Sequence, residues 1–246
     1  MAESILYHSA ILSFHVDFDP HVLSDFFDSV DYIYKSPSFT NAASWTNSPI
    51  LGVGSELYHV VCKISQLCRR TPLQPEDQLL LGPLADELRR AEKFEEQSAS
   101  RHADDVMKLH CFNSSKLYVL ASRIIIHKLR YPQVQATDDW VQVQVREAMD
   151  ILESLPKAYG CEQYLCWPIF VIGCALIRDS DILLMRQTLK DIWQSTFCGD
   201  DTRASAALEA GWEVLRQRKL GAGSNDQLST SSGLDMLVHN TAALHI

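Results

Sequence analysis

The sequence predicts an all-α fold, a bundle or array of antiparallel helices around a buried central Trp-Pro helix. Three observations carry that prediction. From Pro49 onward the apolar residues recur with a period near 3.6, the repeat of one helical face. No Asn-Gly or Asp-Gly pair stands between alternating runs, so the usual hairpin signal is missing. The stretch CWPIFVIGCALI, residues 166–177, is apolar on every side and meets no charge until Arg178, as a helix enclosed by protein must be.

The elements follow in order. Leu57, Val60, Val61, Ile64, Leu67 and Cys68 share one face of a first helix. Pro75 suits the first turn of a second, where its missing N–H costs nothing. Leu80, Leu84, Leu88 and Ala91 should line that helix's inner side. A long helix is expected from about 104 to 130, with Met107, Cys111, Tyr118, Ala121 and Ile125 in register. It stops before Tyr131-Pro132, because the residue before proline disfavours the α region.

Thr137 or Asp138 caps the next helix, which buries Val141, Val145, Ala148, Met149 and Leu152 and ends at Leu155-Pro156. Pro168 then opens the Trp-Pro helix, with Cys166, Ile169, Phe170, Gly173, Cys174 and Ile177 in one stripe. Ser180 should cap a helix facing inward through Ile182, Met185, Leu189, Ile192 and Trp193. The last, 203–218, offers Ala204, Ala207, Leu208, Gly211, Trp212 and Leu215. Short connections make these helices antiparallel neighbours, and no period near 33 residues declares a helical repeat.

The organisation read from composition is an N-terminal helical segment and linker over 1–48, an all-α domain over 49–219, and a flexible C-terminal tail over 220–246. Residues 36–49 have loop composition. Within the tail, LDMLVH reads as a short sticky element.

Composition excludes some function classes. A net charge of -9 and a pI near 5.4 disfavour wrapping of nucleic acid, whose phosphates call for a basic face. The N-terminus MAESILYHSA has no signal-peptide pattern, and the longest apolar run is well short of the roughly 20 residues that span a bilayer. The expectation is a soluble, intracellular chain.

Cysteines 62, 68, 111, 161, 166, 174 and 198 contain no C-x-x-C pair and read as buried thiols. Cys166 and Cys174, about 12 Å apart along a helix, cannot share one metal ion. His15, Asp17, Asp19 and His21 alternate as ligands on a strand would, but Asp19-Pro20 is also an ordinary helix start. No nucleophile elbow, phosphate loop, dinucleotide fingerprint or zinc-protease motif occurs. His110 and Cys111, adjacent on a helix, point apart and make no catalytic pair. Basic pairs such as Arg69-Arg70 and Arg89-Arg90 read as solvated helix ends. No cofactor, metal or catalytic residue is assigned.

Four segments, in order, resemble the fungal-specific transcription factor domain, the helical regulatory region found beside a binuclear zinc cluster. SPILGVGSELYHVVCKISQLCRR (48–70) is similar to its first helix. LYVLASRIIIHKL (117–129) is similar to its tyrosine-bearing helix. CWPIFVIGCALIRDSD (166–181) is similar to its Trp-Pro helix, with Phe170, Gly173 and Ala175 in the expected places. GWEVLRQRK (211–219) is similar to its closing Trp-containing helix. The likeness covers roughly 49–219.

Tyr118, His127, Trp167 and Phe170 lie in these motifs and are the candidate pocket or core residues. The resemblance implies a transcription regulator acting in the nucleus through partners from the transcription machinery or related regulators, or through a small-molecule effector. The family's six-cysteine zinc module has no counterpart in the cysteine spacing here, so the chain reads as the regulatory half alone. Direct specific nucleic-acid binding and membrane association are not implied. Two alternatives stand beside it: an enzyme or ligand-binding protein using His110, His127 or Trp167 in a deep pocket, and an interaction partner of full-length regulators using an exposed apolar patch on the 75–97 or 203–218 helix.

Overall fold

The computed structural model describes residues 7–9, 25–26, 28–29, 55–99, 106–155, 162–196, 199–221 and 233–239. The 36–49 loop, the His15–His21 segment, Gly52 and Gly54, Cys161, Cys198 and residues 222–232 lie outside them. Among the described residues all regular structure is helical. The elements are α1 (Ser55–Arg69), α2 (Pro75–Ala99), α3 (Val106–Arg130), α4 (Asp139–Ser154), a 3-10 turn (Glu162–Leu165), α5 (Cys166–Cys174), α6 (Asp179–Thr196), α7 (Gly199–Gly221) and α8 (Gly233–His239).

Two helices organise the rest. α3 packs against α1, α2, α4, α5 and α8, and α5 packs against α3, α7, α8 and the 3-10 turn. α5 is the Trp-Pro helix, and all nine of its residues are buried. An apolar surface on every side lets it fill the centre, since each exposed position would forgo burial energy. α1 and α2 run antiparallel: Lys63 pairs with Glu87 and Arg70 with Asp77, so residue numbers fall on one helix as they rise on the other.

The apolar faces match the periodic reading closely in α1, α4 and α7. α4 buries Val141, Val145, Ala148, Met149 and Leu152, and adds Gln144. Asp138 holds the N-cap position in extended conformation, but its carboxylate accepts from the Gln135 amide at 3.0 Å rather than from the helix.

Several expectations need correction. Leu80 is 48% exposed, and the buried side of α2 is Leu81, Leu84 and Leu88; three consecutive leucines leave the phase of a helix undecided, and contact with α1 and α3 sets it. Trp193 is 43% exposed, because α6 is buried only as far around as Ile192. α6 begins at Asp179, so Ser180 lies inside its first turn, and its hydroxyl donates to Asp181 at 3.1 Å. α5 ends at Cys174, where the Ala175 amide turns back to the Ile172 carbonyl, while Ala175 and Leu176 continue buried beyond it.

The segment read as sticky forms a helix. Leu234, Leu237 and Val238 of α8 are buried against α1, α3, α5 and α7.

Candidate functional site

Tyr118 and Trp167 stack at 5.6 Å between ring centres, with planes 9° apart. Tyr118 comes from the middle of α3 and Trp167 from the first turn of α5, so this pair joins the two organising helices. Tyr58 of α1 meets Tyr118 edge-on at 5.3 Å. Tyr7, in the short helical segment at 7–9, meets both Tyr58 and Tyr164 edge-on. Four tyrosines and one tryptophan from four separate pieces of chain thus form one cluster, in the edge and offset geometries that aromatic quadrupoles favour.

Two hydroxyls of the cluster are paired within it. The Tyr58 hydroxyl donates to the Tyr118 oxygen at 3.5 Å, and the Tyr118 hydroxyl donates to the Tyr164 carbonyl. Burial pushes the Tyr118 phenol well above its ordinary range; Tyr7 alongside adds to this and the bond from Tyr58 opposes it. A phenol so placed stays protonated and anchors packing rather than transferring protons. Phe170 is buried one turn along α5. Burial likewise raises the Cys68 and Cys174 thiols far above their usual range, which removes thiolate reactivity.

His127 is elsewhere. It stacks on Trp140 at 4.2 Å and meets Tyr131 edge-on at 5.0 Å, on a surface where Tyr131 is 44% and Trp140 41% exposed. His110 is fully buried in the first part of α3; seventeen residues of helix separate it from His127, about 25 Å at 1.5 Å per residue. His110, His127 and Trp167 therefore do not converge on one pocket. Among the described residues no group of three His, Cys, Asp or Glu could hold a metal ion, and the His15–Asp17–Asp19–His21 candidate lies outside them.

Among the described residues, a concave feature of the surface is a cleft of about 200 Å³ between α1 and α2. Leu67, Leu80 and Leu84 form its apolar floor and wall, with Lys63, Arg70 and Glu87 at the rim. The rim charges are already satisfied, Lys63 by Glu87 at 3.0 Å and Arg70 by Asp77 at 3.3 Å. Sites for whole small molecules run to roughly 300–1,000 Å³, so this cleft lies below that range. Beside it Leu79 is 77% exposed, which extends the apolar surface outward.

A second polar structure binds α2, α3 and α4. Glu92 is buried and takes Lys116 at 2.8 Å and Arg123 on its two oxygens, while Lys116 also reaches Glu147 at 3.4 Å. Burial lowers the Lys116 ammonium, but Glu92 and Glu147 together outweigh that and leave it raised. Periodicity could not show this network, since its members come from three helices. Tyr7, Tyr58 and Tyr164 escaped the sequence reading for the same reason. Lys128 was more legible: it stands three residues after Ile125 on the buried stripe of α3, and it is 2% exposed.

No helix among the described residues is long and apolar enough to cross a membrane. The family described as the fungal specific transcription factor domain matches residues 6–239, a span that opens beside Tyr7 and closes at the end of α8. Among curated proteins and among solved structures, none matches the chain.

Proposed function

The chain belongs to the family of fungal specific transcription factor domains, and from that premise we propose that it is a regulatory domain of a transcription regulator, acting through protein partners or a small-molecule signal. The observation that carries this reading is the family match over 6–239. The fold supports it: the aromatic cluster ties four pieces of chain into one core, and the chemistry-bearing residues serve packing. The regulatory unit in this reading includes Tyr7 and α8 along with 49–219, because both are buried in the same core. Its place of action is the nucleus, and its partners are components of the transcription machinery or related regulators. It makes no direct specific contact with nucleic acid; recognition of DNA belongs to a zinc cluster outside these residues or to a partner.

A specific observation supports protein partners. The α1–α2 cleft is apolar at its floor, includes exposed Leu80 in its lining and has exposed Leu79 next in sequence, the anatomy of a side-chain receptor within a docking face. The interaction-partner reading uses this same face to pair with full-length regulators.

The test is a reporter assay in a fungal host with the chain tethered to a foreign DNA-binding domain. A change in output, abolished by Leu79→Glu with Leu80→Glu, is expected. Unchanged output across several reporters would remove the regulator reading, and a change indifferent to both substitutions would remove the α1–α2 face.

A further inference from the structure

α8 is held to the core by a different contact at nearly every position. It has only seven residues, and so short a helix does not persist alone in water. Its form depends on the surface beneath it. Gly233 lies so close to α5 that a Cβ there would overlap the Cys174 carbonyl oxygen. Leu234, Leu237 and Val238 are buried. Met236 lies over α7 at Gly211, where an added Cβ would come within 3.0 Å of its sulfur. The Val238 carbonyl accepts from the Thr71 hydroxyl in the α1–α2 link.

Asp235 completes the set. Its carboxylate takes the Lys128 ammonium at 2.6 Å. Lys128 also donates to the Pro132 carbonyl at 2.6 Å and the Val134 carbonyl at 2.8 Å, so all three of its protons have acceptors. The two carbonyls belong to the turn after α3 and fix the ammonium whether or not α8 is present. The groove thus offers a close backbone approach that admits only glycine, apolar seats for two leucines and a valine, and a fixed cation that reads one carboxylate. Grooves that receive an amphipathic helix from another chain are built from these parts.

We propose that this groove is a docking site for a short amphipathic helical segment with an acidic residue directly after its first leucine, that α8 is its intramolecular occupant, and that such a segment from a partner protein displaces it. The chemistry of the incoming segment is that of α8 itself, glycine, leucine, carboxylate, then leucine and valine. Binding in trans is weakened in the intact chain because α8 must leave first, and the apparent affinity falls with the fraction of open groove. The inference goes beyond the regulator reading: the groove binds such a segment whether or not the chain controls transcription, so the two can fail separately.

The experiment uses the full chain and a fluorescent peptide with the sequence of residues 231–240, SSGLDMLVHN. Gly233→Ala spoils the chain's own ligand and leaves the groove lining and Lys128 intact. Fluorescence anisotropy should show the peptide binding the Gly233→Ala chain at least tenfold more tightly than the wild type. A peptide with asparagine in place of the aspartate should bind that chain at least tenfold more weakly. The proposal is overturned if the folded Gly233→Ala chain ignores the peptide, or if both peptides bind equally. It is also overturned if Gly233→Ala abolishes cooperative unfolding, since α8 would then be inseparable from the core. Dimers of the wild-type chain that vanish with Gly233→Ala, without peptide binding, would assign the groove to exchange between copies instead.

Discussion

The contact between α5 and α7 invites a two-site test of the central Trp-Pro helix. An ideal Cβ on Gly173 would stand 2.7 Å from both Leu208 methyl carbons and 3.3 Å from Leu208 Cγ. Leu208 is 1% exposed, and the Trp212 indole donates to the Gly173 carbonyl at 2.9 Å, which pins the helices together. Gly173→Ala therefore overpacks the contact, at a cost of about 1–3 kcal/mol. Alanine's helical preference returns about 0.5–1 kcal/mol, leaving a net destabilisation of up to roughly 2.5 kcal/mol. Leu208→Ala removes the clashing atoms and leaves a void, at about 2–5 kcal/mol.

In the double variant the new methyl occupies part of that void and the overlap is gone. The two changes should fall short of additivity by about 1–3 kcal/mol, the size of the relieved clash. Urea denaturation of the four chains measures this directly, with unchanged slopes as the sign that the unfolded state is not altered. Additivity within about 0.5 kcal/mol is what non-contacting sites show, and it would refute the close approach. So would a Gly173→Ala chain more stable than the wild type.

Two further predictions concern charge. The His127 imidazole is lowered from its ordinary range, chiefly by burial and further by Arg130, with Asp138 opposing. The unfolded chain then takes up the proton first as pH falls, so stability is complete above the ordinary histidine value near 6.5 and declines as pH drops through the lower folded value. Midpoints of thermal unfolding from pH 7.5 to 5 should show this decline, and His127→Gln should flatten part of it; an unchanged profile would exclude His127 as a contributor. Separately, Glu92→Gln should destabilise by about 1.5–3 kcal/mol through weakened charged hydrogen bonds from Lys116 and Arg123. Asp86→Asn, which breaks the exposed Arg89 pair, should cost less than about 1 kcal/mol. Chemical denaturation in parallel checks both, and equal effects would contradict the different burial of the two sites.

The sequence by itself determined the class of fold and the interior role of residues 166–174. An all-round apolar helix has no stable place at a surface, so the centre was legible without coordinates. The faces of α1, α4 and α7 were legible too, because apolar residues at three- and four-residue spacing leave one side to bury. The phase of α2 was not, since Leu79, Leu80 and Leu81 are alike in chemistry and only their neighbours separate buried Leu81 from exposed Leu79 and Leu80.

The candidate sites divide in the same way. Tyr118, Trp167 and Phe170 were named from two segments, but the meeting of Tyr118 and Trp167 with each other and with Tyr7 and Tyr58 depends on where distant pieces of chain arrive. His127 was grouped with them on the same grounds and stands instead half-buried against Trp140, because nine residues at 3.6 per turn put it on the face of α3 opposite Tyr118, while Lys128 and Leu129 beyond it are buried. The placing of α8 was the work of tertiary structure alone. Its seven residues cannot form a helix unaided, and Asp235 gains its role only where the fold has already buried Lys128 and turned two carbonyls toward it.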